Sequence, residues 1–312
     1  MSPPRVGAVV VSYNTRDDLL RCLASLRTDA GLPCEVTVVD NASADGSAEA
    51  VRNAYPDASL IENAVNVGFA RACNQGIHGS SAPFVLLINS DAQVLSGSVA
   101  IMASLLDDRP DVGLVGPRTR SGDGAIQVSF GPDLTPVAEW RQRKLVRGVR
   151  ERRVSALARA EALAAREHEP DWVSASCLLA RRQALDAVGG FDEGFFLYEE
   201  DVDLCVRMRR AGWKILFTPR AEVVHHLGHS MAQAPLAARL AYHESHLRYY
   251  RKHRGALDRA VLRLSLAGLS VAGWLRSLGS GDARRQRRGL HGQTLRLALG
   301  GGARGPQNPL AF

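Results

Sequence analysis

The sequence predicts an α/β fold built on a mainly parallel sheet with helices on both faces. Two observations carry that prediction. Apolar runs of strand length alternate with segments of helical period, and two of those runs stop at the polar clusters Asp40-Asn41 and Asn89-Ser90-Asp91. In open parallel sheets ligands gather beyond the carboxyl ends of the strands, so these clusters mark the edge where a site is expected. The 312 residues, 46% hydrophobic and 23% charged, suffice for one sizeable core with an appendage.

The elements follow in order. Val6 to Ser12 reads as a buried strand, and Leu19, Leu20, Leu23 and Leu26 give Arg16 to Leu26 helical spacing. Val36 to Asp40 is a second strand, closed by the turn-rich Asn41 to Ser47, with a helix from Ser47 to Asn53. A short strand at Ser59 to Glu62, a helix at Phe69 to Gly76 and a strand at Phe84 to Ile88 continue the alternation. From Glu139 to Pro170 the chain is rich in Arg, Ala and Glu without a clear apolar face, which suggests a mobile helical or irregular insertion. Trp172 to Leu179 returns to strand character. A helix through Val202 to Arg210 stops at Gly212, then come a strand at Lys214 to Thr218 and a strand running into a loop at Val223 to Ser230. Pro235 to Arg254 and Leu257 to Leu278 read as helices, and Gly279 to Phe312 as loose.

Charge divides the chain. From Leu236 to Phe312 there are 14 Lys or Arg against 3 Asp or Glu, more than the whole formal excess of +7, so residues 1–235 are net acidic. The five cysteines are scattered and form no Cys-x-x-Cys pair, which fits a reducing, cytoplasmic compartment. The first apolar run, Val6 to Val11, is too short for a signal peptide core, and no run reaches the roughly 18 apolar residues of a spanning helix.

Three groups of residues invite chemistry. Glu199, Glu200, Asp201 and Asp203 place four acids within five residues, among aromatic and apolar neighbours where folding alone disfavours carboxylates. An acidic helix start accounts for one or two of them. On a helix Asp201 and Asp203 lie about 200° apart, so they cannot face one cleft, and Asp203 can pair with Arg207 one turn on. Asp201 is then the candidate general base, with Glu200 raising its proton affinity and Glu199 lining the cleft mouth. Asp91 follows a buried strand, where a carboxylate can share a divalent cation with a diphosphate, although Asn-Ser-Asp also suits a plain turn. His225 or His226 could add a nitrogen ligand, and His229 reads as a loop residue.

The series Val9-Val10-Val11-Ser12-Tyr13-Asn14, Val38-Val39-Asp40-Asn41-Ala42-Ser43-Ala44-Asp45-Gly46-Ser47, Asn66-Val67-Gly68-Phe69-Ala70-Arg71-Ala72-Cys73-Asn74 and Leu86-Leu87-Ile88-Asn89-Ser90-Asp91 resembles inverting family 2 glycosyltransferases. So do Gly189-Gly190-Phe191-Asp192, the Glu200-Asp201-x-Asp203-Leu204-Cys205 run and His225-x-x-Gly228-x-Ser230. The resemblance spans about residues 5–232 and is nearest the rhamnosyltransferase-like branch. It implies a GT-A fold, a Rossmann-like, mainly parallel mixed sheet flanked by helices, over residues 1–235 with a variable insertion at 139–170. Residues 236–312 would form a basic helical C-terminal extension.

The resemblance also implies a nucleoside-diphosphate sugar donor and a divalent cation, Mn²⁺ or Mg²⁺. Ser12, Tyr13, Asn14, Asp40 and Asn41 would hold the nucleoside, while Asn66, Gly68, Arg71, Asn74 and Asn89 would shape the donor pocket. Asp91 would bind the metal with support from His225. Asp201, beside Glu200, would deprotonate the acceptor hydroxyl, with Trp172, Phe195 and Tyr198 as candidates for the acceptor side. One departure bears on the metal: Asn89-Ser90-Asp91 stands where many members have Asp-x-Asp, and one carboxylate fewer should weaken metal affinity. The Gln-x-x-Arg-Trp signature of processive synthases is missing, which favours transfer of one or a few sugars.

The basic extension has two readings. Leu264 to Leu275, with Trp274 and bordering Arg residues, suits a helix lying on an anionic membrane surface, which a saccharide or lipid-linked acceptor would explain. Equally, it suits a helical subdomain packing on the catalytic domain or on a second subunit. Nucleic acid is disfavoured, because no recognisable binding module accompanies the basic clusters. Rival functions fare less well: Ser12-Tyr13-Asn14-Thr15 stands where a dinucleotide-binding oxidoreductase needs its glycines, and no nucleotidyltransferase loop is present. A non-catalytic carbohydrate-binding protein on the same fold finds support only in Asn89.

Overall fold

The computed structural model describes residues 5–226, 235–278 and 281–301. Its centre is a nine-stranded mixed sheet in the order β3-β2-β1-β4-β10-β6-β11-β5, with β7 paired to β6. The strands are β1 (Val6–Ser12), β2 (Cys34–Asp40), β3 (Ser59–Glu62), β4 (Phe84–Asn89), β5 (Ala92–Val94), β6 (Val112–Arg120), β7 (Ile126–Gln127), β10 (Cys177–Arg181) and β11 (Lys214–His225). A separate pair joins β8 (Phe130–Gly131) to β9 (Trp172–Val173).

The first half is the parallel part, and its register builds the site edge. β1 lies between β2 and β4, setting Ser12 opposite Asp40 and Val11 opposite Asn89. These strands are buried on both faces, which is why they read as unbroken apolar runs. Helices α1 (Arg16–Thr28), α2 (Ser47–Ala54), α3 (Phe69–His78) and α4 (Ser98–Asp108) make the crossovers. In α1 the sequence chooses the helix: Asp17 and Asp18 sit in the first turn and Arg27 in the last, and Leu19, Cys22, Leu23 and Leu26 share the buried face. In α3, Gly76 lets the helix lie directly on β1, since a Cβ there would stand 2.3 Å from Val9 Cγ1. Each fully buried Leu, Ile or Val of this core contributes about 1.5–3 kcal/mol.

Several segments differ from the sequence expectation. The insertion forms two helices, α5 (Pro136–Arg150) and α6 (Val154–Ala164), and they do have an apolar face. Leu145, Val149, Leu157, Ala160, Leu163 and Ala164 spread that face over two short helices, too thinly for a single periodic stripe to show. The expected strand from Trp172 to Leu179 is broken into β9 and β10 by a turn at residues 174–176. The two expected strands from Lys214 onward are one, β11, whose register shift between Thr218 and Glu222 accommodates Pro219. Helix α7 (Arg182–Val188) precedes the acidic run, and α8 (Glu200–Arg210) begins within it.

Beyond them lie α9 (Pro235–His253), α10 (Ala256–Arg276) and α11 (Asp282–Ala298). The last of these replaces an expected loose tail, with Leu290, Thr294 and Ala298 buried at spacings of four, a period that the many Arg and Gly residues mask. Residues from both sides of position 235 share one apolar cluster, in which Phe195, Val202 and Val206 meet Tyr249, Tyr250, Leu262 and Leu266. The extension therefore packs on the rest of the chain through that face. All five cysteines are free.

Candidate active site

The strand ends converge as the register dictates. Ser12 is buried, and its hydroxyl lies 3.1 Å from that of Thr15, which in turn lies 2.7 Å from Ser90. Tyr13 follows half-buried, and Asn14, with φ of 52°, takes the left-handed conformation that Asn tolerates. The Asn14 amide donates to Ser43 Oγ at 2.9 Å, and Asn14 Oδ1 accepts from the Ala44 amide at 2.7 Å. Asp40 Oδ2 accepts from the Ser43 amide at 2.9 Å, while its Oδ1 is buried with no hydrogen-bond partner among the described residues. A buried carboxylate oxygen left so is an acceptor for a ligand N–H or hydroxyl.

Three residues expected in the donor pocket work mainly within the protein. Asn41 Nδ2 donates to Asn66 Oδ1 at 2.8 Å, and Asn41 Oδ1 accepts from the Val67 amide at 3.0 Å, so this pair shapes the loop before α3. Asn74 grips the Gly-Gly-Phe-Asp segment, donating to Phe191 O at 3.0 Å and accepting from the Phe191 amide at 2.9 Å. Gly68, at φ of 87°, lies under Phe196, and a Cβ there would sit 2.7 Å from Phe196 O. Arg71 is exposed, 3.7 Å from Glu193. The donor loop and the acidic loop are thus bound to each other.

At the next edge stand Asn89, Asp91 and His225. The pairing of His225 with Ala92 across β11 and β5 brings the imidazole beside Asp91, with Nε2 3.2 Å from Asp91 Oδ1 and 3.4 Å from Asn89 Nδ2. Gln127, which sequence reasoning missed, fixes the ring. Its Nε2 donates to the His225 carbonyl at 2.6 Å, and its Oε1 lies 3.1 Å from His225 Nδ1. When Nδ1 carries the proton toward Gln127, the Nε2 lone pair faces the carboxylate, a nitrogen and oxygen donor set suited to a divalent cation. Among the described residues no group of three or more His, Cys, Asp or Glu is arranged to hold a metal. Two protein ligands still fit a cation whose shell is completed by diphosphate oxygens and water. His226 is partly buried and faces Gly122, whereas His229, Gly228 and Ser230 lie outside the described residues.

The acidic run resolves into four environments. Tyr198 and Glu199 both take positive φ, 71° and 62°, immediately before α8. Such a conformation costs on the order of 1–3 kcal/mol per residue and persists only where its surroundings enforce it. Here Ser245 donates to Leu197 O at 2.7 Å and His246 Nδ1 to Glu199 Oε1 at 2.5 Å. Glu199, expected at the cleft mouth, is instead buried against α9, 47 residues away in sequence where no local signal could reveal it.

Asp201 faces the sheet. Its Oδ2 accepts from the Ala175 amide at 3.0 Å and its Oδ1 from its neighbour Val202 at 2.8 Å. Loss of water raises its pKa, and the Ala175, Val202 and Ser174 hydrogen bonds restrain the rise. The Ser-Ala-Ser turn that supplies Ala175 also ties in the strand end before Asp91, because Ser176 O accepts from the Asn89 amide at 3.0 Å. Small polar residues between two apolar runs were the available sign of that turn. Glu200 is buried with Oε2 unpartnered among the described residues, and burial first and the Asp201 charge second push its pKa well up. Burial pushes both neighbouring carboxyls up, Glu200 further than Asp201.

Asp203 turns away from Asp201, as the helical spacing requires. It pairs with Arg207 at 2.7 Å, and also with Lys252 and His253 of α9, each at 2.7 Å. Burial alone would raise its pKa, but His253, Lys252 and Arg207 reverse that and hold it at about 2. The aromatic candidates are unequal. Phe195 is 1% exposed beneath Arg248 and Lys252, leaving no ring face for an acceptor. Trp172 is partly exposed, its indole N–H donating to Pro132 O at 2.9 Å, and Tyr198 stands edge-on to Tyr242.

Residues 8–173 match the family described as Glycosyl transferase family 2. The N-acetylglucosaminyl-diphospho-decaprenol L-rhamnosyltransferase of Mycobacterium tuberculosis is 33% identical over 286 residues, covering 83% of this chain and 88% of that one. The chain belongs to glycosyl transferase family 2. A mannosyltransferase from Pyrobaculum calidifontis, solved with GDP-Man and Mn²⁺, shares the glycosyltransferase's fold at a TM-score of 0.57, with 18% identity over 96% of this chain and 88% of the other. GalNAc-T7, solved with UDP, GalNAc and Mn²⁺, superposes at a TM-score of 0.56 with 13% identity over 95% of this chain and 56% of its own. The mixed sheet of this glycosyltransferase thus has the GT-A fold expected from its sequence.

Proposed function

We propose that this glycosyltransferase transfers L-rhamnose, with inversion, from a nucleoside-diphosphate donor to a hydroxyl of a lipid-linked saccharide. The whole-length similarity to the mycobacterial N-acetylglucosaminyl-diphospho-decaprenol L-rhamnosyltransferase supports the substrate class. The observation that carries the chemistry is the turn at residues 174–176, which hydrogen-bonds Asp201 through Ala175 and the Asn89 strand end through Ser176. A base and a diphosphate-side cation site so joined stand at the two ends of one displacement.

The residues divide the work accordingly. Ser12, Tyr13, Asn14 and Asp40 receive the nucleoside at the ends of β1 and β2, and the free Asp40 oxygen fixes its orientation. Asn41, Asn66, Gly68 and Asn74 hold the loops around the donor, with Arg71 and Asn89 toward its diphosphate. Asp91 and His225 would hold Mn²⁺ or Mg²⁺, which when bound stabilises the charge of the departing diphosphate. Asp201 takes the acceptor proton as the oxygen attacks the anomeric carbon opposite the leaving group, so a single displacement inverts the centre. Trp172 and Tyr198 border the acceptor side.

A thermal-shift panel of dTDP-rhamnose, UDP-hexoses and GDP-mannose with metal tests the donor, with the largest stabilisation expected from dTDP-rhamnose. Asp201→Asn tests the base. Turnover should fall at least 10³-fold, on the order seen for loss of a general base, with donor affinity changed less than about threefold. Retained turnover would remove Asp201 from the role, and nucleotide binding without released diphosphate in the unaltered protein would mark a binding-only protein.

A further inference from the structure

Helix α10 has two apolar faces. One is buried: Leu262 and Leu266 join the cluster around Tyr249 and Tyr250, and Ser270 continues that side. Opposite it, Leu257, Val261, Leu264, Gly268, Val271 and Leu275 recur at spacings of three and four. They fall in a band about 80° wide at about 100° per residue. Leu257 is 77% exposed, Leu264 74% and Leu275 53%, and the band holds no charged residue. A surface helix usually turns its apolar stripe inward and its charges outward, so this outward stripe needs an occupant.

Charge says which occupant. Arg263 and Arg276 are exposed on the two flanks of the band, Arg263 also donating to the Ala298 carbonyl at 3.3 Å, and α11, packed against α10, exposes Arg284, Arg285 and Arg287. Together α10 and α11 contain eight Arg against two acids, Asp258 and Asp282. We propose that this stripe docks on an anionic lipid surface, with α10 lying in the plane of the interface, its leucines among the acyl boundary and its Arg rim on lipid phosphates. No helix among the described residues is long and apolar enough to cross a membrane, so the contact is one of lying on the surface. A second copy is the poorer occupant, because self-complementary pairing of the stripe would bring two Arg rims together. This docking face goes beyond the choice of donor and acceptor, and it would bring the enzyme to the surface where a lipid-linked acceptor resides.

Sedimentation of the full chain with vesicles tests it. At low salt the protein should bind phosphatidylglycerol–phosphatidylcholine vesicles roughly tenfold or more tightly than phosphatidylcholine alone. The double variant Leu257→Asp, Leu264→Asp replaces two exposed side chains and should keep the helix content, melting temperature and turnover on a soluble acceptor. Its vesicle affinity should fall at least about tenfold. Arg284→Ser should lower affinity about fivefold. Absence of binding to the anionic vesicles, or equal binding by the double variant, would overturn the proposal. So would light scattering that shows a dimer which the double variant breaks, since the stripe would then belong to a second copy. Turnover on the soluble acceptor is read separately, so failure here leaves the proposed activity standing, and the reverse.

Discussion

His246 of α9 donates to Glu199 at 2.5 Å, with both side chains buried and Glu199 only two positions before Asp201. A residue of the C-terminal extension thereby fixes the left-handed backbone that begins the helix carrying Asp201. The same imidazole lies 3.1 Å from Glu139 of α5, whose Oε2 accepts from the Tyr250 hydroxyl at 2.9 Å. Burial opposes a charge on His246, but Glu199 and Glu139 outweigh it and raise the imidazole to about 9.

Removing that imidazole should therefore cost both stability and rate. His246→Ala leaves Glu199 buried without its cation, a loss of about 3–5 kcal/mol. kcat should fall while the donor KM changes less than about twofold, because Asp201 is displaced and the nucleoside loop is not. His246→Gln, which can still donate, should recover part of the rate. The raised pKa also sets a pH window: the stabilisation is complete below the unfolded imidazole value of about 6.5 and is lost as pH rises through about 9. Melting temperatures across that range should fall more steeply in the parent than in His246→Ala; equal slopes would exclude the linkage.

Glu200 carries the opposite sign. A carboxyl whose folded pKa lies above its unfolded one destabilises the fold increasingly as pH rises above the unfolded value of about 4.3. Glu200→Gln should thus melt higher than the parent at pH 8, with the gap closing toward pH 4. It should also move the acid limb of the kcat profile, because the two neighbouring carboxyls titrate as a pair. An unchanged limb would mean that Asp201 acts without help from Glu200.

Gln127 offers a test of the metal edge that leaves both ligands in place. Gln127→Leu removes the orienting partner of His225 and should weaken Mn²⁺ affinity about 10- to 100-fold, as other outer partners of metal-bound His do. Asp91→Asn should weaken it at least as far. Titration of Mn²⁺ against donor-dependent turnover reads both, and equal Mn²⁺ affinity in Gln127→Leu would show that the ring needs no such support.

The sequence exposed what short range encodes. The parallel strands could be read because burial on both faces leaves continuous apolar runs, and Asp203 could be paired with Arg207 because four residues make one helical turn. The Asn89 and Asp91 edge was visible as polar residues closing such a run. Partners across long separations were not. The basic extension looked like a surface field, yet Arg248, Lys252, His253 and Arg254 are spent on Asp192, Asp203 and Asp133 of the catalytic part. Asn41, Asn66 and Asn74 looked like ligand contacts because an amide gives no hint, in one dimension, of whether a loop or a substrate will take its hydrogen bonds. Phe195 looked like an exposed aromatic for the same reason, since its cover comes from α9.

The grip of α9 on the acidic loop has a consequence for the life of the molecule. Ser245, His246, Arg248, Lys252 and His253 all anchor residues between Asp192 and Asp203. A ribosome makes the sugar-nucleotide half first, and that half can gather its sheet from neighbouring strands as it emerges. Asp201, the proposed proton acceptor, must wait, because the side chains that set its loop lie further along the chain in α9. A nascent chain would therefore be able to fold around a nucleotide well before it could transfer anything, and chemistry would begin only once α9 has emerged.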